Sequence, residues 1–230
     1  MALSALLWGL VVGPAWAGLP TQGTGVFINE GGDVVTARHV ITDCERLFVV
    51  KDGRVVRGRV VAESADYDLA VVSTPLTPYL SAILATSPHP GSQPVFTESY
   101  DVLQSMENRS VQVFNAILVP GRDRLTMMSS VRPGASGAAV LGEGGLLLGL
   151  VQERTAKGAL GPILLSRSRQ PVGQGATVRV RAAPAADIKA FLTEHHIAFM
   201  ESTRPQLGPA QARAPRAATL SVGLICDARD

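Results

Sequence analysis

Three side chains in this sequence have the types needed to make and break a bond at an acyl carbon: Ser136, His39 and Asp68. A serine hydroxyl is a weak nucleophile until a neighbouring base takes its proton. Imidazole is the usual base near neutral pH, and a carboxylate can hold that imidazole in the useful tautomer. Ser136 lies in Arg132-Pro133-Gly134-Ala135-Ser136-Gly137-Ala138-Ala139-Val140. Glycine before the serine permits a tight turn that aims the backbone N–H groups of Gly134, Ala135 and Ser136 at one point, as an oxyanion hole requires. His39 follows the β-forming run Val34-Val35-Thr36, and Asp68 precedes Leu69-Ala70-Val71-Val72. Each residue also has a plainer reading. Pro-Gly-x-Ser-Gly is an ordinary turn composition, and an Asp ahead of a strand satisfies local backbone groups. Asp66, two residues earlier, is the decoy for Asp68.

The elements that must position these residues read mostly as β. Residues 26–28 and 34–36 form a hairpin across Asn29-Glu30-Gly31-Gly32. Residues 47–50 and 55–61 form a second, with Asp52-Gly53 as its turn signal. Residues 111–119 and 176–181 read as further strands. Residues 185–195 read as a helix, with Ile188, Phe191 and Leu192 at helical spacing; His195 and His196 at its end suit a solvated cap. Residues 76–104 are poorly patterned, and His89 falls in a loop with no assigned role. Short β runs with glycine turns indicate an all-β barrel or sandwich.

The chain of 230 residues is long enough for one domain with extensions, and its 23 Gly and 15 Pro suit strands and turns. A net charge of +2, from 21 basic and 19 acidic residues spread along the chain, argues against nucleic acid, whose binders concentrate positive charge on one face. Residues 1–17 read as a signal peptide. They carry no charged side chain, are apolar from Leu3 to Val12, and end in Ala15-Trp16-Ala17, a small-x-small cleavage pattern. The expected location is secreted or periplasmic, with a membrane involved only where that segment stays uncleaved. Export permits disulfides. Cys44 and Cys226 either pair with each other or remain as two thiols, and they form no usual tetrahedral metal set with the distant histidines.

The order His39, Asp68, Ser136, each flanked by strand-like sequence, resembles that of trypsin-like serine peptidases, bacterial HtrA-like protease domains above all. The matching pieces are Gly23-Thr24-Gly25-Val26-Phe27-Ile28, Thr36-Ala37-Arg38-His39-Val40, Asp68-Leu69-Ala70-Val71 and Pro133-Gly134-Ala135-Ser136-Gly137. Leu148-Gly149-Leu150-Val151 is similar to the strand that pairs with bound substrate in that family. The resemblance implies two six-stranded antiparallel β-barrels, chymotrypsin-like, with a C-terminal helix and the site in the cleft between them. It implies His39 as general base and acid, Asp68 as its orienting carboxylate, Ser136 as nucleophile, and Gly134, Ala135 and Ser136 as the oxyanion hole, without metal or organic cofactor. Peptides or proteins are the implied substrates, and a catalytically inactive binding or scaffolding homologue is the alternative.

The pattern departs from the family at Ala138 and Ala139, where a second glycine and a proline are usual, and at Ala135, where trypsin carries an Asp. Ser130, six residues before Ser136, stands where a specificity acid is found in trypsin. With Val131, Leu150 and Val151 it suggests a pocket for a small or medium apolar side chain, because a charged one would find no partner there. The expected domain spans residues 18–200. Residues 201–219, rich in Pro, Ala and Arg, read as a flexible linker, and residues 220–230 as an apolar tail that either docks on the domain through Cys226 or lies disordered.

Overall fold

The computed structural model describes residues 21–86, 91–120, 125–155, 163–164 and 178–228; the expected signal peptide and His89 lie outside them. The first half begins with β1 (Gly23–Phe27) and β2 (Asp33–Ala37). Asn29 shapes the turn between them, its Oδ1 accepting the Gly31 and Asp33 N–H groups. The short helix α1 (Arg38–Ile41) follows β2 directly. Next come β3 (Cys44–Lys51), β4 (Arg54–Arg57), β5 (Arg59–Ser64) and β6 (Leu69–Ser73). Asp52 and Gly53 between β3 and β4 both have positive φ, 48° and 76°, as a type I′ hairpin turn demands. The single strand expected over residues 55–61 divides at Gly58.

The second half contains β7 (Ile83–Ala85), β8 (Pro94–Val95), α2 (Tyr100–Ser105), a 3-10 turn at Arg109–Val111, β9 (Ala116–Val119), β10 (Leu125–Ser129), β11 (Ala139–Leu141), β12 (Leu147–Thr155), β13 (Ile163–Leu164) and β14 (Val178–Pro184). After these come α3 (Ala185–Glu194), β15 (Met200–Ser202), α4 (Ala214–Leu220) and β16 (Ser221–Ala228). Helix α3 buries Ile188, Phe191 and Leu192, the face its spacing marks. His195 caps it, with its ring edge-on to Phe191 at 4.9 Å.

The two curled sheets have the chymotrypsin-like double-barrel arrangement. One runs β4-β3-β16-β1-β2-β6-β5, and the other β15-β7-β12-β14-β10-β9-β8, with β11 and β13 also on β12. Their strands alternate between two cores, as the period of two requires. Val34 and Val72 join Phe27 and Val49 on one face of the first sheet. Val35 and Val71 point the other way, into a cluster shared with Leu84, Leu141, Leu150 and Phe191 from the second half. The second sheet keeps its own cluster around Leu118, Met127, Val140 and Val180.

Two expectations are corrected and a third is resolved. Residues 111–119 are not one strand: only Ala116–Val119 pair in the sheet, because Asn115 clasps Thr97 through both side-chain atoms and Gln112 gives its carbonyl to the Arg213 and Ala214 N–H groups. Residues 201–219 are not a free linker. Arg213 is 3% exposed and donates to the Glu143, Pro209 and Gln211 carbonyls, while Arg216 donates to Gly145, fastening the segment to the turn between β11 and β12. Of the two alternatives for the C-terminal stretch, docking through Cys226 holds, and the stretch is a full strand. It is β16, inserted between β3 and β1 with Val222, Leu224 and Cys226 buried, and a Cys44–Cys226 disulfide ties it to β3. The first sheet therefore has seven strands where six were expected, the seventh arriving from the far end of the chain.

Candidate active site

His39 and Asp68 come together because β2 and β6 are antiparallel neighbours, with Ala37 opposite Leu69. His39 sits at the start of α1, just past β2, and Asp68 just ahead of β6. Asp68 adopts a left-handed backbone, φ 50°, uncommon for a residue with a side chain. Its carbonyl accepts the Arg38 N–H at 3.1 Å, and its Oδ1 accepts the His39 N–H at 3.1 Å. That grip turns the other carboxylate oxygen to the imidazole, and His39 Nδ1 lies 2.8 Å from Asp68 Oδ2. Asp66, the decoy, is exposed.

Ser136 is presented from the second half. Gly137 N–H donates to the Val151 carbonyl, Val151 N–H to the Ala138 carbonyl, and Ala138 N–H to the Ala135 carbonyl, so the turn is stitched to β12 and to itself. Gly137 has φ 82°, and a Cβ there would collide with the Thr24 carbonyl. His39 Nε2 lies 2.9 Å from Ser136 Oγ. An ionised Asp68 makes Nδ1 the protonated nitrogen, which leaves the lone pair of a neutral imidazole on Nε2, and the serine hydroxyl donates to it. The arrangement can therefore draw the proton from Ser136 and hold the resulting imidazolium against a carboxylate.

Two features of this centre were not legible in the sequence. Gln152 occupies a bulge in β12, where the pairing with β14 slips between Val151 and Glu153. The extra residue re-aims the strand: the Gln152 carbonyl comes 3.3 Å from Ser136 Oγ, and its side-chain amide donates to the Tyr67 carbonyl at 2.5 Å, next to Asp68. Gln152 thus bridges the two halves over the serine. Ser136 itself has no exposed surface.

The backbone N–H groups of Gly134, Ala135 and Ser136 have no acceptor among the described residues, whereas the carbonyls of all three are bonded. Three adjacent donors are thus left without a protein acceptor beside Ser136.

The four residues expected to line a substrate pocket separate in the structure. Val131 and Val151 lie in the second sheet's own cluster, and Leu150 in the cluster between the halves, because adjacent residues of β12 face opposite ways. Ser130 is exposed and lines a cavity of about 650 Å³ with Glu98, Asn115 and Arg132. Burial pushes the Glu98 carboxyl upward, partly offset by hydrogen bonds from Ser99 and Arg132.

A family model described as the trypsin-like peptidase domain matches residues 23–150. DegS, a serine endoprotease of Escherichia coli, is 28% identical over 138 residues, which cover 56% of this chain and 39% of DegS. The y4bJ protein of Sinorhizobium fredii is 26% identical over 212 residues, 90% of this chain and 32% of that protein. The chain thus spans about a third of the length of the curated relatives it matches. Among solved structures, the HtrA-type protease AlgW with a decapeptide aligns with a TM-score of 0.54 at 20% identity, covering 76% of this chain and 52% of that one. A serine endoprotease from Yersinia pestis aligns at 0.51 and 21%, covering 75% and 57%. At such identities the likeness is one of fold.

Proposed function

The chain belongs to the trypsin-like peptidase family, and on that premise we propose that it is a serine endopeptidase working through an acyl-enzyme on Ser136. The observation that carries this reading is the His39 imidazole, 2.8 Å from Asp68 on one side and 2.9 Å from Ser136 on the other. Ser136 Oγ attacks the scissile carbonyl as His39 Nε2 takes its proton. The oxyanion accepts hydrogen bonds from the Gly134 and Ser136 N–H groups, and the imidazolium then protonates the leaving amine. Water, deprotonated by the same imidazole, releases the acid. The Cys44–Cys226 disulfide supports an exported protein, freed after Ala17 by signal-peptide cleavage; an intact mass beginning at Gly18 checks this.

The complete burial of Ser136 favours a second reading, a catalytically inactive homologue that binds or scaffolds other proteins. One experiment separates them. The mature protein, with Ser136→Ala and His39→Ala beside it, is exposed to a fluorophosphonate. The endopeptidase reading expects labelling of the wild type alone, and labelling no greater than in Ser136→Ala rejects it. Cleavage of a peptide library then distinguishes peptidase from esterase and reads the residue preferred before the scissile bond.

A further inference from the structure

Thr24, fully buried in β1, makes four hydrogen bonds, and two of them end on the nucleophile turn. Its backbone N–H donates to the Ser136 carbonyl at 2.8 Å, and its Oγ1 lies 2.8 Å from the Gly134 carbonyl. The Thr36 hydroxyl donates to the Thr24 carbonyl at 2.7 Å, and the Tyr100 N–H donates to Thr24 Oγ1 at 3.0 Å. The directions are unambiguous. An amide N–H can only donate, so Oγ1 accepts from Tyr100 and commits its one proton to Gly134.

We propose that Thr24 is a positioning residue for the nucleophile turn: its side-chain hydroxyl pins the Gly134–Ala135 peptide and its backbone N–H pins the Ser136–Gly137 peptide, so the two flank the Ala135–Ser136 peptide that carries the Ser136 N–H. The Ala135–Ser136 peptide between them is held at its carbonyl by the Ala138 N–H, and its own N–H, that of Ser136, has no acceptor among the described residues. The first half of the molecule thereby sets the geometry of donors carried on the second. The hydroxyl also joins the turn to the head of α2, whose Tyr100 hydroxyl accepts the Asp52 N–H at the β3–β4 hairpin. Threonine suits this role better than serine, because β-branching restricts χ1 and holds the hydroxyl in place. The proposal rests on the reading of Ser136 as nucleophile for its catalytic consequence, but the clamp itself does not.

The test compares wild type, Thr24→Val and Thr24→Ser in two measurements. In the first, fluorophosphonate inactivation is resolved into kinact and KI. Misplaced oxyanion donors weaken the transition state alone, so Thr24→Val is expected to lower kinact by roughly 10²-fold with KI unchanged. Thr24→Ser is expected to recover most of the rate. In the second, hydrogen exchange by mass spectrometry is expected to rise in residues 131–139 of Thr24→Val only, with residues 221–226 as the internal control. Equal kinact and equal exchange in wild type and Thr24→Val overturn the proposal; so does a Thr24→Ser protein as impaired as Thr24→Val, which would assign the effect to volume. If the wild type is no better labelled than Ser136→Ala, the nucleophile reading fails separately. Exchange alone then decides the clamp: a rise confined to Thr24→Val upholds it, and no rise removes it. Should Thr24→Val fail to fold, Thr24→Ala carries the same expectations.

Discussion

The two halves of the candidate site are held in different ways. His39 and Asp68 are 29 residues apart, on neighbouring strands of one sheet, and the Asp68 backbone and side chain bind Arg38 and His39 directly. Ser136 is 97 residues from His39, and its turn is gripped by Thr24, 110 residues before Gly134, and by Val151. The pair is therefore a product of local strand pairing, whereas the nucleophile turn is a product of docking between the two halves. Damage to the pair should impair chemistry without unfolding the protein, and damage to the docking should do both.

The sharpest test on the side of the pair is Asp68→Asn. The amide keeps the shape but no longer enforces the tautomer, and in such triads the loss is about 10⁴-fold. Fluorophosphonate labelling should slow by that order while the urea midpoint barely moves. In the sheet that carries Thr24, Cys44→Ser with Cys226→Ser removes the covalent tie between the paired strands β16 and β3, across a separation of 182 residues. A loop of that length should cost about 5 kcal/mol in urea unfolding, and labelling should fall with the folded fraction. Gly137 and Gly53 form a matched pair, both at positive φ. Gly137→Ala should cost about 3 kcal/mol or more, since strain adds to collision with the Thr24 carbonyl, whereas Gly53→Ala in open space should cost about 1 kcal/mol.

The smallest effect concerns Glu98, beside Ser130 and Arg132 at the entry to the nucleophile turn. Burial raises its carboxyl above the ordinary carboxylate range, so the folded chain binds this proton more tightly than the unfolded one. Its contribution to stability is full below the unfolded value and declines as pH rises through the folded one. Glu98→Gln removes that slope. The Tm of the wild type should fall relative to that of the variant as pH rises from acid to neutral, and differential scanning fluorimetry across that range checks this.

Much of the local structure was legible. Asp52-Gly53 marks a hairpin wherever the chain carries it, because the turn's positive φ values favour those residues. The apolar spacing of Ile188, Phe191 and Leu192 belongs to a helix for equally local reasons. Signals for the C-terminal segment also existed and were outweighed by composition. Ala214, Ala217 and Ala218 have helical spacing, and Val222, Leu224 and Cys226 alternate as a half-buried strand does. Pro and Arg content suggested a linker because it says nothing about acceptors such as the Glu143 and Gly145 carbonyls, which the fold brings to Arg213 and Arg216.

By itself the sequence determined the residue types and their order: an imidazole after one strand, a carboxylate before another, and a serine in a glycine turn. These depend on neighbours within a few positions. Tertiary structure alone decided that β16 enters between β3 and β1, that Leu150 and Val151 part to different cores, and that the Gln152 bulge and the Thr24 hydroxyl meet at the Ser136 turn. Strand partners are chosen by burial and hydrogen-bond satisfaction over the whole chain, and no window of sequence contains both members of such a pair.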